Sequence, residues 1–299
     1  MKHLLKLLDL STEDIFMLID AADRMKHEHR RGVSHPLLRG KTLGMIFQKS
    51  STRTRVSFEV GMFQLGGHAM FLNARDLQMG RGEPVADTAR VLSRYVDGIM
   101  IRTYSHQEVE ELAGYAAVPV INGLTDFAHP CQVLADLMTI RELKGRLEGL
   151  KVCYIGDGNN MANSLTVGCL KAGMQVALAC PVHYAPHPSV LAFAAGKPFA
   201  ITQCPTDAAR DADVLITDVW ASMGQEDEQE DRAKAFGGYQ INETLLGVAK
   251  PGCIVQHCLP AHRGEEITAE VFENHAEEIF TEAENRLHVQ KAILASLMG

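Results

Sequence analysis

The sequence contains no apolar run near the roughly 18 residues that a membrane-spanning helix needs, and it shows no tandem repeat and no low-complexity tract. A bilayer protein and a repeat array are therefore not expected. Positive charge is in short supply: 29 Lys and Arg stand against 37 Asp and Glu, a net charge of −8. A general nucleic-acid binder or a protein held to anionic membranes carries the opposite sign. Any anionic ligand must then be held by a local cluster of arginines and backbone N–H groups. The seven cysteines (Cys131, Cys153, Cys169, Cys180, Cys204, Cys253 and Cys258) are odd in number, scattered, and include no C-x-x-C pair. This argues against a disulfide framework or a zinc site and for reduced thiols in the cytoplasm. The basic N-terminus meets Asp9, Glu13 and Asp14 before a signal-type apolar stretch develops, so residues 1–16 read as the first helix of a folded domain.

What is present is ordinary globular material, 46% hydrophobic and 22% charged over 299 residues. At about 150 residues per domain that length suggests two domains. Short β-rich runs at 41–47, 68–73, 98–104 and 119–123 alternate with helical stretches at 56–65, 85–95, 107–116 and 131–143. The pattern resumes with expected strands at 151–157, 175–181, 199–205, 213–220 and 253–259 and a helix at 161–172. Such alternation predicts an α/β fold of two doubly wound parallel sheets with helices on both faces, and a ligand site in the cleft between the domains. The boundary is expected at Gly145-Arg146-Leu147-Glu148-Gly149. Residues 1–145, completed by a last helix at 285–299, form one domain, and 146–284 the other. The acid-rich run 225–232 reads as a solvated surface loop, or less readily as a flap over a site.

Open α/β sheets bind ligands beyond the carboxyl ends of their strands, so chemistry is sought there. After the first expected strand come Lys49, Ser50, Ser51, Thr52, Arg53, Thr54 and Arg55. Hydroxyls that cap a helix, the amides of its first turn and a guanidinium make an anion cradle suited to phosphate. A plain capped helix with two solvent-facing arginines would look similar but needs only one hydroxyl. Arg102 ends another strand, where it either joins that cradle or pairs with a surface acid. His129-Pro130-Cys131-Gln132 opens a helix with proline in its first turn. His129 can there donate to a carbonyl oxygen or serve as a structural cap.

In the second half, Gly156-Asp157-Gly158-Asn159-Asn160 resembles the start of a dinucleotide fingerprint but lacks its third glycine. The asparagine amides suit a small polar ligand instead. Asp218 can grip an ammonium group or cap a turn, and Ser222-Met223-Gly224 can cradle a carboxylate. His257-Cys258-Leu259-Pro260 and His262 end the last strand; no further Cys or His stands at a spacing that would close a metal site, so no metal is expected. Asn285-Arg286 opens the last helix and can reach back to the site.

In this order, each after a strand, these motifs resemble the aspartate/ornithine carbamoyltransferase family over the whole chain, and its ornithine-type members in particular. Ser51–Arg55 and His129–Gln132 match elements shared across that family, while Asp218 with Ser222-Met223-Gly224, and His257–Pro260, match the ornithine-type forms. The resemblance implies transfer of a carbamoyl group from carbamoyl phosphate to the δ-amine of L-ornithine, giving citrulline and phosphate, with no cofactor. It implies that Ser51, Thr52, Arg53, Thr54 and Arg102 hold the phosphate and that His129 and Gln132, beside Pro130 and Cys131, orient the carbamoyl group. Asn160, Asp218, Ser222 and Met223 then bind ornithine, and Cys258, Leu259 and Arg286 line the junction of the two substrates. Arg102, His129 and Cys258 are the expected catalytic groups. Gln78, in the segment 76–82, is expected to reach a neighbouring subunit's site in a homotrimer or a multiple of one. A carbamoyltransferase for another amine (putrescine, an N-acylated ornithine or aspartate), a dinucleotide-dependent dehydrogenase and a non-catalytic anion-binding module are the competing readings.

Overall fold

A computed structural model describes residues 1–221 and 226–299. Chain contacts divide it into two compact units, Met1–Met138 with Asn285–Gly299, and Thr139–Glu284.

The first unit is built on four parallel strands, β1 (Thr42–Phe47), β2 (His68–Asn73), β3 (Gly98–Arg102) and β4 (Val120–Leu124), in the order β2-β1-β3-β4. All of β3 is buried, as is β1 beyond its first residue, which is why both read as unbroken apolar runs. Its helices are α1 (Thr12–Arg30), α2 (Thr52–Gln64), α3 (Val85–Leu92), α4 (His106–Tyr115) and the start of α5 (Pro130–Lys144). Residues 1–16 are not one helix. Leu4 forms a bridge with Ile121, and α1 begins only where Ser11 and Asp14 close a capping box.

The second unit carries β5 (Lys151–Ile155), β6 (Gln175–Ala179), β7 (Phe199–Thr202), β8 (Val214–Thr217) and β9 (Ile254–His257), again all parallel, in the order β7-β6-β5-β8-β9. Its helices are α6 (Asn160–Lys171), α7 (Pro188–Ala194), α8 (Pro205–Ala209), α9 (Gln229–Ala235), α10 (Glu243–Val248) and α11 (Ala269–Asn274), followed by α12 (Ala276–Met298). The expected α/β class and all nine expected strands are present. Three further expectations are corrected. The last helix starts at Ala276, not at 285, because nothing in 276–285 interrupts it. Residues 226–235 form a short 3-10 turn and α9 in place of a loop, because Arg232 turns inward to a buried partner. Several strands stop short of the expected end; β3 stops at Arg102 and β9 at His257.

In each sheet the chain leaves a central strand first to one side and later to the other. The reversal lies between β1 and β3 in one unit and between β5 and β8 in the other. These are the positions where an open α/β sheet leaves room for a ligand. Arg102 is the last residue of β3, and the segments following β1, β5 and β8 hold Ser51, Asn159 and Asp218. No helix among the described residues is long and apolar enough to cross a membrane.

Candidate active site

In the first unit, the carboxyl ends of β1 and β3 are tied together by the Arg102 carbonyl, which accepts the N–H of Gln48 at 2.9 Å and of Lys49 at 3.5 Å. Ser51 then caps α2: its Oγ accepts the Thr54 N–H at 3.2 Å. Thr52, Arg53 and Thr54 occupy the first turn, where amides and dipole favour an anion. Thr54 is buried, Arg53 half-buried and Thr52 exposed. Arg55, two residues on, faces away: its Nε donates to Glu59 at 3.0 Å and its guanidinium lies 3.8 Å from the centre of the Phe71 ring. Of the two arginines in the motif, Arg53 is the one that suits the cradle.

His129 is buried immediately before α5. Burial, and then the charges of Arg286, Arg102 and Arg53, hold its imidazole well below the usual histidine range. The residue is therefore neutral, a hydrogen-bond donor surrounded by guanidinium groups. Arg286, from α12, completes the cluster. It donates through Nη1 to Gln132 Oε1 and through Nη2 to Thr54 Oγ1 at 3.3 Å, and Gln132 in turn donates to Asp136 at 2.8 Å. Pro130 is the first residue of α5. Cys131 is walled in: its thiol donates to the Asn122 carbonyl at 3.5 Å, and burial pushes its pKa up to about 12. That side chain is structural, and only its place in the first turn of α5 suits the expected role. Gln78 is exposed in a 3-10 turn (Gln78–Arg81).

The second unit assembles its group around Asp218, just past β8. One carboxylate oxygen, Oδ1, accepts the Val219 N–H at 2.8 Å and the Cys258 thiol at 3.0 Å; the other, Oδ2, accepts Asn159 Nδ2 at 3.2 Å. Asn160 is buried in the first turn of α6. Leu259 has φ of 58°, a left-handed conformation uncommon for leucine. Its N–H donates to His257 Nδ1 at 2.9 Å. Since Nδ1 accepts, Nε2 carries the hydrogen and donates to the fully buried Glu266 at 2.9 Å. His257 and Cys258, considered above with His262 as metal ligands, are thus engaged with Glu266 and Asp218. A separate trio, His262, Glu265 and Glu266, places ligand-type atoms within 4.8 Å of one another. Ser222 and Met223 lie outside the described residues.

The Gly156-x-Gly158 pair has a structural cause. A Cβ at Gly158 would lie 2.4 Å from backbone atoms of Tyr184, Ala185 and Pro186, so that chain passes directly over it. Two features of this unit escaped the sequence reading. Asp157 pairs with Arg232 at 2.8 Å, although Arg232 belongs to a run that looks solvated. Asn159 touches Asp218, although the sequence suggests only an amide suited to a small polar ligand. Sequence carries no signal for the first pair; for the second, the capping position was the one available hint.

The carbamoyl-P binding domain of the aspartate/ornithine carbamoyltransferase family matches residues 2–142, and the family's Asp/Orn binding domain matches residues 148–297. The chain belongs to this family. An ornithine carbamoyltransferase of Carboxydothermus hydrogenoformans is 57% identical over 100% of this chain and 98% of its own length. The Pyrococcus furiosus relative named anabolic ornithine carbamoyltransferase is 55% identical over 100% and 96%. Among solved structures, an ornithine carbamoyltransferase from Pyrococcus furiosus superposes with a TM-score of 0.95 at 54% identity, covering 100% of this chain and 97% of its own. An anabolic one from Campylobacter jejuni gives 0.93 at 44%, covering 99% of each. Within the family's first domain fall the α2 cradle, Arg102 and His129; within its second fall Asn159, Asp218, Cys258 and Arg286. Arg286 thus belongs to the second domain by family sequence and to the first unit by its contacts.

Proposed function

We propose that this member of the aspartate/ornithine carbamoyltransferase family transfers the carbamoyl group of carbamoyl phosphate to the δ-amine of L-ornithine. The observation that carries the reading is the Asp218–Cys258 contact in the family's Asp/Orn binding domain, together with relatives of about 55% identity that bear the ornithine name. The neutral δ-amine attacks the carbamoyl carbon; a C–N bond forms, the bond from that carbon to the phosphate oxygen breaks with its electron pair leaving on phosphate, and the proton given up by the amine ends on the released phosphate. Negative charge builds on the carbonyl oxygen and then on the departing phosphate. Donors fixed in advance towards such charge usually contribute more to catalysis than any other device, each worth on the order of 3 kcal/mol. In this reading Ser51, Thr52, Arg53, Thr54 and Arg102 hold the phosphate. Neutral His129 donates to the carbonyl oxygen, Gln132 orients the carbamoyl group, and Arg286 and Leu259 each contact carbamoyl phosphate. Asn160, Asp218, Ser222 and Met223 take ornithine, and Cys258 is, with Arg102 and His129, an expected catalytic group.

The working molecule in the same reading is a cytoplasmic homotrimer, in which Gln78 of one copy serves a neighbour's site; its exposure supports this. A solution mass of one chain would remove that part. The substrate is tested by a colorimetric citrulline assay with carbamoyl phosphate against ornithine, putrescine, N-acetylornithine and aspartate. The expected result is turnover with ornithine at least about a hundredfold above the others, since a site built to pair with a polar group rejects analogues that lack it. Equal or faster carbamoylation of another amine would replace ornithine in the proposal.

A further inference from the structure

Asp218, a carboxylate suited to an ammonium group, is among the residues assigned to ornithine above, and what fixes its direction is a residue assigned to neither substrate. An ionised carboxylate offers about four acceptor positions. Among the described residues three are occupied, two on Oδ1 by the Val219 N–H and the Cys258 thiol, and one on Oδ2 by Asn159 Nδ2. That leaves about one position, on Oδ2, for an incoming N–H donor, and the Asn159 amide determines where it points.

The orientation of that amide is itself fixed. Asn159 is the N-cap of α6, and its Oδ1 accepts from the Met161 N–H at 2.9 Å and the Ala162 N–H at 3.4 Å. Tyr154, fully buried on β5, adds its hydroxyl to the same oxygen at 3.4 Å. Burial, and then the nearby Asp218, push the phenol well above its ordinary pKa, so it remains a donor. Three donors on Oδ1 turn Nδ2 the other way, towards Asp218. One side chain therefore caps a helix with one end and sets a carboxylate with the other.

We propose that Asn159 is a positioning residue for the amine substrate, acting through the Nδ2 to Asp218 Oδ2 hydrogen bond. The inference rests on the ornithine reading of Asp218. Serine and aspartate both cap helices as well as asparagine does, yet neither carries the amide donor. Asn159→Ser in the full chain is thus expected to keep the wild-type melting temperature, while Asn159→Asp, capping equally well but facing the carboxylate of buried Asp218, should lower it. Both should raise the KM for ornithine about tenfold or more, the scale of a lost hydrogen bond to a charged group. Aspartate should be the worse of the two because it sets a like charge beside Asp218. The KM for carbamoyl phosphate should stay within about twofold, which a general loss of structure would not permit. Asn159→Ala, losing cap and donor together, is expected to lower stability as well. An unchanged ornithine KM in the Ser and Asp variants of an active enzyme, or equal rises in both KM values, overturns the positioning role alone. A wild-type chain that makes no citrulline from ornithine removes the substrate reading and this inference with it.

Discussion

Three guanidinium groups and a dry site act in one direction on His129. Burial disfavours the imidazolium first, and Arg286, Arg102 and Arg53 add to it. The neutral ring suits donation to an oxygen that gains charge, whereas a cationic ring beside three arginines would be repelled by them. This has a consequence for stability. In the unfolded chain the ring titrates near pH 6.5; in the folded chain it resists protonation to a much lower pH. The unfolded state therefore binds the extra proton, and stability rises with pH across that window. The contribution is complete above about pH 6.5 and is lost as pH falls below it. Between pH 6.5 and 5, the melting temperature of His129→Asn should fall less steeply than that of the wild-type chain. Parallel curves, measured by calorimetry in the same buffers, would show that the ring takes up its proton in both states.

At the scale of elements, the strands were legible because parallel strands buried on both faces leave an apolar run in the sequence, and β1, β3 and β5 do so. Their ends were less so. β5 stops just before Gly156 (φ 140°) and β9 stops two residues before Leu259 (φ 58°), so these ladders end where the backbone turns, which residue type alone does not mark. Position after a strand also marked the capped start of α2, which is proposed above to hold phosphate, since cap, first-turn amides and arginine are neighbours in sequence. The Asp157–Arg232 pair joins residues 75 apart and gives no local sign. Asn159 hid in another way, because its cap role accounts for the residue type before its second bond is considered. The glycines at 156 and 158 are a further case: they look like part of a nucleotide loop, and instead Gly156 holds a positive φ of 140° and Gly158 admits a crossing chain. Gly158→Ala should therefore lower stability sharply. Its Cβ meets backbone at 2.4 Å, where no side-chain rotation gives relief. Overpacking of this kind costs on the order of 3 kcal/mol, or very roughly 6–12 °C for a domain of 150–250 residues. Gly82→Ala, where nothing lies within 4 Å, isolates the backbone cost of a positive φ (97°) and should lose less. A similar melting temperature for the two variants would show that residues 184–186 yield readily.

At the scale of the whole chain, neither unit is a simple sequence segment. The first takes Met1–Met138 and then Asn285–Gly299, so α12 contributes its last two-thirds to a unit whose remainder ended about 150 residues earlier. Those residues are not peripheral. Asn285, Arg286, His288, Val289, Gln290, Lys291, Ala292, Ile293 and Leu294 are all buried. Asn285 accepts from the ammonium of buried Lys26 on α1 at 2.7 Å, and Lys291 donates to Gln64 on α2 at 3.0 Å. Val289, Ile293 and Leu294 alone, at about 1.5–3 kcal/mol for each buried side chain, supply on the order of 4–9 kcal/mol. A typical domain has about 5–15 kcal/mol in total. A chain ending at Glu284 should therefore lose the first unit while the second, whose residues all remain, stays folded. Limited proteolysis reads this directly: cleavage should spread through 1–138, while a fragment near 139–284 resists. The shortened chain should also fail to bind carbamoyl phosphate, because Arg286 leaves with the helix and takes its bonds to Gln132 and Thr54 with it. Protease resistance across 1–138, with carbamoyl phosphate binding retained, would mean that α1 and α2 close over the gap and that the last fifteen residues are dispensable to this unit.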